Sequence, residues 1–454
     1  MYRIGTVSFR DKLSRRALPP LGREMPRAQV IDGLRERIRA TLERTPSSPD
    51  APHGSGAVDD LPFETTEVPA GLLHVREKRL SRTHRTGRAQ LGPAYDASIE
   101  LLSLLALDPT LTRCDVRGAL FLDTETTGLA RGAGTVAFLV GLASWHADGT
   151  FVLEQILVRQ LGEEAPMLER VRQRIEQASL LVTFNGKSFD LPLLRTRMVM
   201  ARLPGMREPP HLDLLHVARR VHGSRLPNGC RLSALESAVL GFARPDDVAS
   251  ADIGALYVHF LRTGDVRALH GVVEHNAWDV VAMGALLGLY GEPTHEALAA
   301  EDLAGVARTM CRAGDLEWAA SCAETAVERS HSASALRTRA DIFKARGDRM
   351  RALADYETLA LALDDPGVRL EIAKIYEHWA KAPCDALEWA TRGTGERPEA
   401  AARRIERLAR KASVSRRMPP PSSGALAWPP EASRSSTRCE RNGSNGAEDP
   451  EDPV

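Results

Sequence analysis

The run Phe121-Leu122-Asp123-Thr124-Glu125-Thr126-Thr127-Gly128-Leu129 places two acids, one residue apart, at the end of an apolar stretch. In an extended strand, side chains two apart share a face, so Asp123 and Glu125 point the same way. Adjacent carboxylates on one face of a buried strand repel each other, and that costs stability unless a cation compensates. Hard divalent ions such as Mg²⁺ and Mn²⁺ take oxygen ligands, so the pattern marks a candidate metal site. A strand end that simply emerges into solvent is the plainer alternative.

Two further segments repeat the theme. In Leu181-Val182-Thr183-Phe184-Asn185-Gly186-Lys187-Ser188-Phe189-Asp190 an apolar strand runs into a polar loop and then an acid. Asp190 stands where a helix begins, and a helix N-terminus suits an acid in any case. Asn185, Gly186 and Lys187 lie where such a loop can meet a phosphate backbone. Lys187 and Arg195 are candidate phosphate contacts, with solvated surface charge as the alternative. In Val272-Val273-Glu274-His275-Asn276-Ala277-Trp278-Asp279 the histidine and the last acid are four apart on an otherwise apolar helix. They therefore share a face, and an acid in such a run is costly to bury without a partner. His275 can orient or deprotonate a water, because an imidazole titrates near neutrality.

The rest of the 454 residues has room for two or three domains. Sixty Lys and Arg balance sixty Asp and Glu, so any grip on nucleic acid must come from local basic patches rather than net charge. The six cysteines form no C-x-x-C pair, which argues against a disulfide framework or a zinc module. The opening residues lack the apolar core of a secretory signal, and no run of about 18 apolar residues occurs. A cytoplasmic protein with no membrane contact is expected.

Residues 1–62 read as mostly disordered, with one amphipathic helix over 28–42 and a Pro/Gly/Ser/Asp linker behind it. Residues 63–115 form a lead-in that packs on the next domain, and they carry a basic run of Arg76, Lys78, Arg79, Arg82, Arg85 and Arg88 with His74 and His84. That run is the candidate track for a phosphate backbone, with solvated surface charge as the alternative. Residues 116–292 alternate strands and helices. Two of the strands are joined by His146-Ala147-Asp148-Gly149, a hairpin signal. The fold class expected is α/β, a mixed sheet flanked by helices. Asp213, at the end of a short strand beside His211 and His216, reads as a helix cap or a support for the site. Residues 295–412 are helical and repeat themselves. Ala319, Ala352 and Ala386 hold equivalent places 33–34 residues apart, which is the tetratricopeptide period. A disordered tail is expected over 413–454.

Taken together, the three acid segments resemble the DEDD exonuclease superfamily of the ribonuclease H-like fold. With Gly132-Ala133-Gly134-Thr135-Val136-Ala137-Phe138-Leu139-Val140-Gly141-Leu142 and the segment from Asn185 to Arg197, residues 63–290 are similar to bacterial YprB-like ribonuclease H-like proteins. The resemblance implies a 3′→5′ exonuclease that uses two divalent cations, Mg²⁺ or Mn²⁺, held by Asp123, Glu125, Asp190 and Asp279. It implies that Asp123 bridges both ions, that His275 acts on the attacking water, and that Thr126 and Leu129 lie against the substrate. One departure stands out. The family places its tyrosine four residues, or its histidine five, before the last acid, whereas here a histidine stands at four and Glu274 at five. The expected substrate is a single-stranded 3′ end of DNA or RNA, with the helical repeats as a possible protein-docking surface. Two rival readings are a scaffold that works through those repeats and a structure-specific endonuclease on the same fold.

Overall fold

The computed structural model describes residues 33, 36–40, 42, 43, 61–128, 134–291 and 298–417. The expectations of disorder over 1–62 and beyond 417 fall mostly outside these residues, as does Leu129. The chain divides into two compact units, residues 1–365 and 366–454.

The first unit is built on a seven-stranded sheet of order β1-β2-β7-β6-β5-β8-β9. Its strands are β1 (Glu64–Val68), β2 (Gly71–Leu80), β5 (Ala119–Thr126), β6 (Ala137–Trp145), β7 (Phe151–Leu157), β8 (Leu180–Thr183) and β9 (His211–Asp213); a separate small pair joins β3 (Arg85–Thr86) to β4 (Ala89–Gln90). β5 runs antiparallel to β6 and parallel to β8, which in turn is parallel to β9. The sheet is therefore mixed and flanked by helices, as the sequence implies.

The basic lead-in differs from expectation. β2 lies antiparallel along β7, with Arg76 opposite Gln155, so Arg76, Lys78 and Arg79 belong to the sheet itself. Arg82 and Arg88 lie beyond the end of this strand. Arg76 pairs with Glu274 at 2.7 Å, Arg82 with Asp96, and the Arg88 guanidinium donates to the Val239 carbonyl at 2.6 Å. Several of the run's charges therefore have partners within the fold.

Buried side chains of β5, β6 and β7 join Met167, Leu168 and Val171 of the Ala165–Gln177 helix, Leu191 and Leu194 of the Asp190–Met200 helix, and Leu256 and Tyr257 of the Ile253–Thr263 helix in one core. Each fully buried leucine or phenylalanine contributes roughly 1.5–3 kcal/mol. The 25-residue Arg267–Gly291 helix carries Val272 and Val273 into the same core.

The boundary expected at residue 295 falls inside this unit. The Ala300–Ala313 helix docks on the Leu214–His222 helix so closely that a Cβ on Gly305 would lie 2.1 Å from the Val221 carbonyl oxygen. Asp302 seals the contact, 2.8 Å from His222 Nδ1 and 2.6 Å from the Arg225 guanidinium. Helices Leu316–Ser330, Ala333–Arg346 and Arg349–Ala362 follow, with Ala319 and Ala352 fully buried.

The second unit holds helices Pro366–Ile375, Pro383–Thr391 and Pro398–Arg417 around Ala373, Ala386, Ala390 and Leu408. The last helix runs past residue 413, where a disordered tail is expected, since Ala, Arg, Lys and Glu along it are strong helix formers. Buried Glu377 is held there by Arg404, Arg407 and Lys411. Among the described residues no helix is long and apolar enough to cross a membrane.

Candidate metal centre

β5 delivers Asp123 and Glu125 to one face, and a register irregularity follows Glu125 where the strand ends. The Thr-Thr-Gly turn is tied down by its own hydroxyls. Thr126 Oγ1 donates to the Gly128 carbonyl at 3.0 Å, and Thr127 Oγ1 accepts from the Val136 amide at 3.1 Å. Gly254 lets the Ile253–Thr263 helix approach this turn, since a Cβ there would meet the Thr127 carbonyl oxygen at 2.8 Å.

β8 delivers the second segment. Asn185 takes φ +70°, a left-handed conformation that Asn tolerates better than most residues. Asp213 at the end of β9 clamps the loop, accepting from the amides of Asn185 at 2.8 Å and Lys187 at 3.1 Å. It also accepts from the Leu215 amide at 3.1 Å, so it caps the next helix and supports the site together. Asp190 then opens the Asp190–Met200 helix and accepts a hydrogen bond from Thr124 Oγ1.

The Arg267–Gly291 helix brings the third segment. Asn276 Nδ2 donates to Asp123 Oδ2 at 2.9 Å, and its own carbonyl oxygen accepts from Gln155 Nε2 at 3.0 Å. Asp279 binds the Arg244 guanidinium through Oδ1, while its Oδ2 lies 3.6 Å from His275 Nε2. Arg244 is shared with Glu236, at 2.7 and 2.8 Å. His275 Nδ1 is 2.7 Å from Asp247 Oδ1.

Four acids from three distant segments thus meet. Burial first, then the charges of Asp279, Glu125 and Asp190, lift Asp123 well above the usual carboxylate range. Burial, reinforced by Asp279 and Asp190 and opposed by His275 and Arg244, pushes Glu125 up to about 8. Asp190 rises to about 6, chiefly through burial, against the Thr124 hydrogen bond. Burial opposes a charge on His275, yet the Asp247 hydrogen bond and the charges of Asp279 and Glu125 hold it above its ordinary value. Glu125 Oε1 is buried with no hydrogen-bond partner. A buried carboxylate oxygen without a donor is costly, and a divalent cation removes that cost. Single ligand atoms from Glu125, His275 and Asp279 all lie within 4.8 Å of one another. The donor set fits a divalent ion.

His275, Asp279, Arg244 and Asn185 open onto a cleft of about 720 Å³ that Arg219, Asn228 and Arg231 also line. Lys187 is exposed beside it in sequence. Arg195 is engaged elsewhere, in a two-pronged pair with Glu208 at 2.6 and 2.6 Å.

Residues 120–290 match the model of the RNase H superfamily family RNase_H_2. The fold is ribonuclease H-like. "Uncharacterized protein YprB" of Bacillus subtilis (strain 168) is 32% identical over 241 residues, which cover 50% of this chain and 57% of that protein. This chain therefore spans little more than half the length of the curated relative it matches. A family B DNA polymerase from the hyperthermophilic archaeon Pyrobaculum calidifontis aligns with 50% of this chain and 29% of its own, at 13% identity and TM-score 0.30.

Around the acids of this ribonuclease H-like domain stand residues that sequence reasoning missed. Asn276 had a signal, being a polar side chain inside an apolar helix next to His275. Arg244 and Asp247 had none, since they sit in an irregular connection with no periodicity to place them, and Glu236 reads as one more acid on a short helical segment.

Proposed function

We propose that this chain is a metal-dependent 3′→5′ exonuclease that hydrolyses phosphodiester bonds of single-stranded nucleic acid. The observation that carries the reading is the convergence of Asp123, Glu125, Asp190 and Asp279 with an unpartnered buried oxygen on Glu125. Two divalent cations, Mg²⁺ or Mn²⁺, supply Lewis acidity when bound, activating a water and neutralising charge on the departing 3′ oxygen. Asp123, Glu125 and Asp279 would hold one, and Asp123 with Asp190 the other.

The chain's own groups then have distinct tasks. Asn276 fixes the Asp123 carboxylate by its 2.9 Å hydrogen bond. Thr124 orients Asp190, and Arg244 holds one oxygen of Asp279. Asn185 and Lys187, on a loop clamped by Asp213, would contact the sugar-phosphate backbone at the cleft. Thr126 has its hydroxyl committed to Gly128, so its part in substrate binding would be through the backbone of the turn. The helical repeats from Ala300 onward would offer a docking face for a protein partner.

The test uses 5′-labelled single strands of DNA and RNA, and a closed circle, with Mg²⁺ and with Mn²⁺. Stepwise shortening from the 3′ end, absent in Asp123→Ala and on the circle, is expected. Equal cleavage by Asp123→Ala would discard the reading, and cutting of the circle would convert it to an endonuclease.

A further inference from the structure

We propose that His275 is itself a ligand of the cation held by Glu125 and Asp279, through Nε2, and that this nitrogen makes the site prefer Mn²⁺ to Mg²⁺. The inference rests on the reading of the acids as a metal site and adds the donor that sets which ion it takes.

Three observations carry it. First, Asp247 Oδ1 lies 2.7 Å from His275 Nδ1. A carboxylate only accepts hydrogen bonds, so at this shorter distance Nδ1 carries the proton and Nε2 is the nitrogen that can present a lone pair to an ion. Arg244 Nη1, 3.3 Å from the same Nδ1, also lies 3.6 Å from Asp247 Oδ2, the carboxylate it accompanies. A carboxylate behind an imidazole in this way is how metal-binding histidines are fixed in tautomer and direction. Second, Nε2 faces Asp279 Oδ2 at 3.6 Å, while the other Asp279 oxygen is occupied by Arg244. The free edge of Asp279 and the lone pair of His275 therefore address the same space. Third, that space is bounded by Glu125, only 8% exposed, whose Oε1 has no donor. Asp123 and Asp190 differ, for each has a hydrogen-bond donor of its own, from Asn276 and Thr124. One ligand atom from each of Glu125, His275 and Asp279 falls within 4.8 Å of the other two, close enough for a single ion to draw all three in.

The position in the helix explains why this chain differs from the expectation that His275 activates the water. Four residues before Asp279 rather than five, His275 stands one turn below it on the same face. It reaches the acid's own ion, not the space beyond it. An imidazole whose lone pair is given to a cation cannot also accept a proton, so the two roles exclude each other. Mg²⁺ favours oxygen and gains little from imidazole, whereas first-row transition ions accept nitrogen readily.

The experiment is pulsed electron paramagnetic resonance on full-length protein loaded with one equivalent of Mn²⁺, beside calorimetric titration of Mn²⁺ and Mg²⁺. Wild type should show a ¹⁴N coupling that becomes ¹⁵N when the protein is grown on ¹⁵N-histidine. His275→Gln should lose it and bind Mn²⁺ roughly 10–100-fold more weakly, the scale of disturbing a ligand or its support, with a smaller change for Mg²⁺. Asp247→Asn should keep a nitrogen coupling of altered strength. The labelled wild-type spectrum needs no variant to fold. Tight Mn²⁺ binding without histidine nitrogen coupling overturns this inference and leaves the acid site standing. No Mn²⁺ binding at all overturns both.

Discussion

Gly141 lies directly across the β5–β6 ladder from Asp123, and a Cβ added to it would sit 2.3 Å from Oδ1 of Asn276. The missing side chain is what lets the long helix lower Asn276 onto Asp123. Gly141→Ala should therefore displace Asn276 and Val280 and destabilise the protein by about 1–3 kcal/mol, the usual cost of overpacking. Urea unfolding reads the stability. A midpoint equal to wild type would mean the helix has room to shift.

The raised acids make a signed prediction about pH. A carboxyl whose folded value exceeds its unfolded value, as for Glu125 at about 8 and Asp190 at about 6, binds more protons in the folded state. Its stabilising contribution is complete below about pH 4 and is lost as pH rises through the folded value. Chelated protein should thus lose thermal stability between pH 5 and 8 on account of these groups. Glu125→Gln should flatten that decline, and Mn²⁺ should reverse it in wild type. A chelated protein that grows more stable over the same range, equally in wild type and Glu125→Gln, would contradict the cluster's electrostatics.

Much of this site was legible in the chain. The period-two spacing of Asp123 and Glu125, the strand-to-loop break before Asp190 and the i,i+4 pair of His275 and Asp279 are local patterns, and local patterns survive in a linear reading. What closes the site does not. Arg244 reaches Asp279 from 35 residues away and Asp213 reaches Asn185 from 28 away, across intervening helices, so no local pattern links the partners. The fold followed the same rule. Apolar strands and amphipathic helices were visible, but β1 and β2 were read as a lead-in because an edge pair rich in Glu, Lys and Arg has little apolar alternation to betray it.

Cations that looked alike in the sequence should separate in the test tube. Arg195 is bound to Glu208 and half exposed, at 54%, so Arg195→Ala should change stability by less than about 1 kcal/mol and leave substrate affinity alone. Lys187→Ala should weaken binding of a single strand and reduce the salt slope of log K by about 1. Fluorescence anisotropy at several salt concentrations distinguishes them, and identical slopes for wild type and Lys187→Ala would remove Lys187 from the interface.

The contact between the ribonuclease H-like domain and the first helical pair turns on a buried charge. Asp302 sits fully buried between His222 and Arg225. Asp302→Ala should strand those two and cost about 3–5 kcal/mol, seen as a lower melting temperature. A loss below 1 kcal/mol would mean the helices dock by apolar packing alone.

If Asp123, Glu125, Asp190 and Asp279 together hold divalent cations, removing two of them must abolish binding. Calorimetric titration of Mn²⁺ into chelator-free wild type and the Asp123→Asn/Asp279→Asn double variant tests it most directly. Wild type should bind Mn²⁺ with release of protons and with affinity that climbs from pH 6 to pH 8, while the folded double variant should bind none in that range. Equal binding by both proteins, or none by wild type at pH 8, would mean that these four acids are not a cation site.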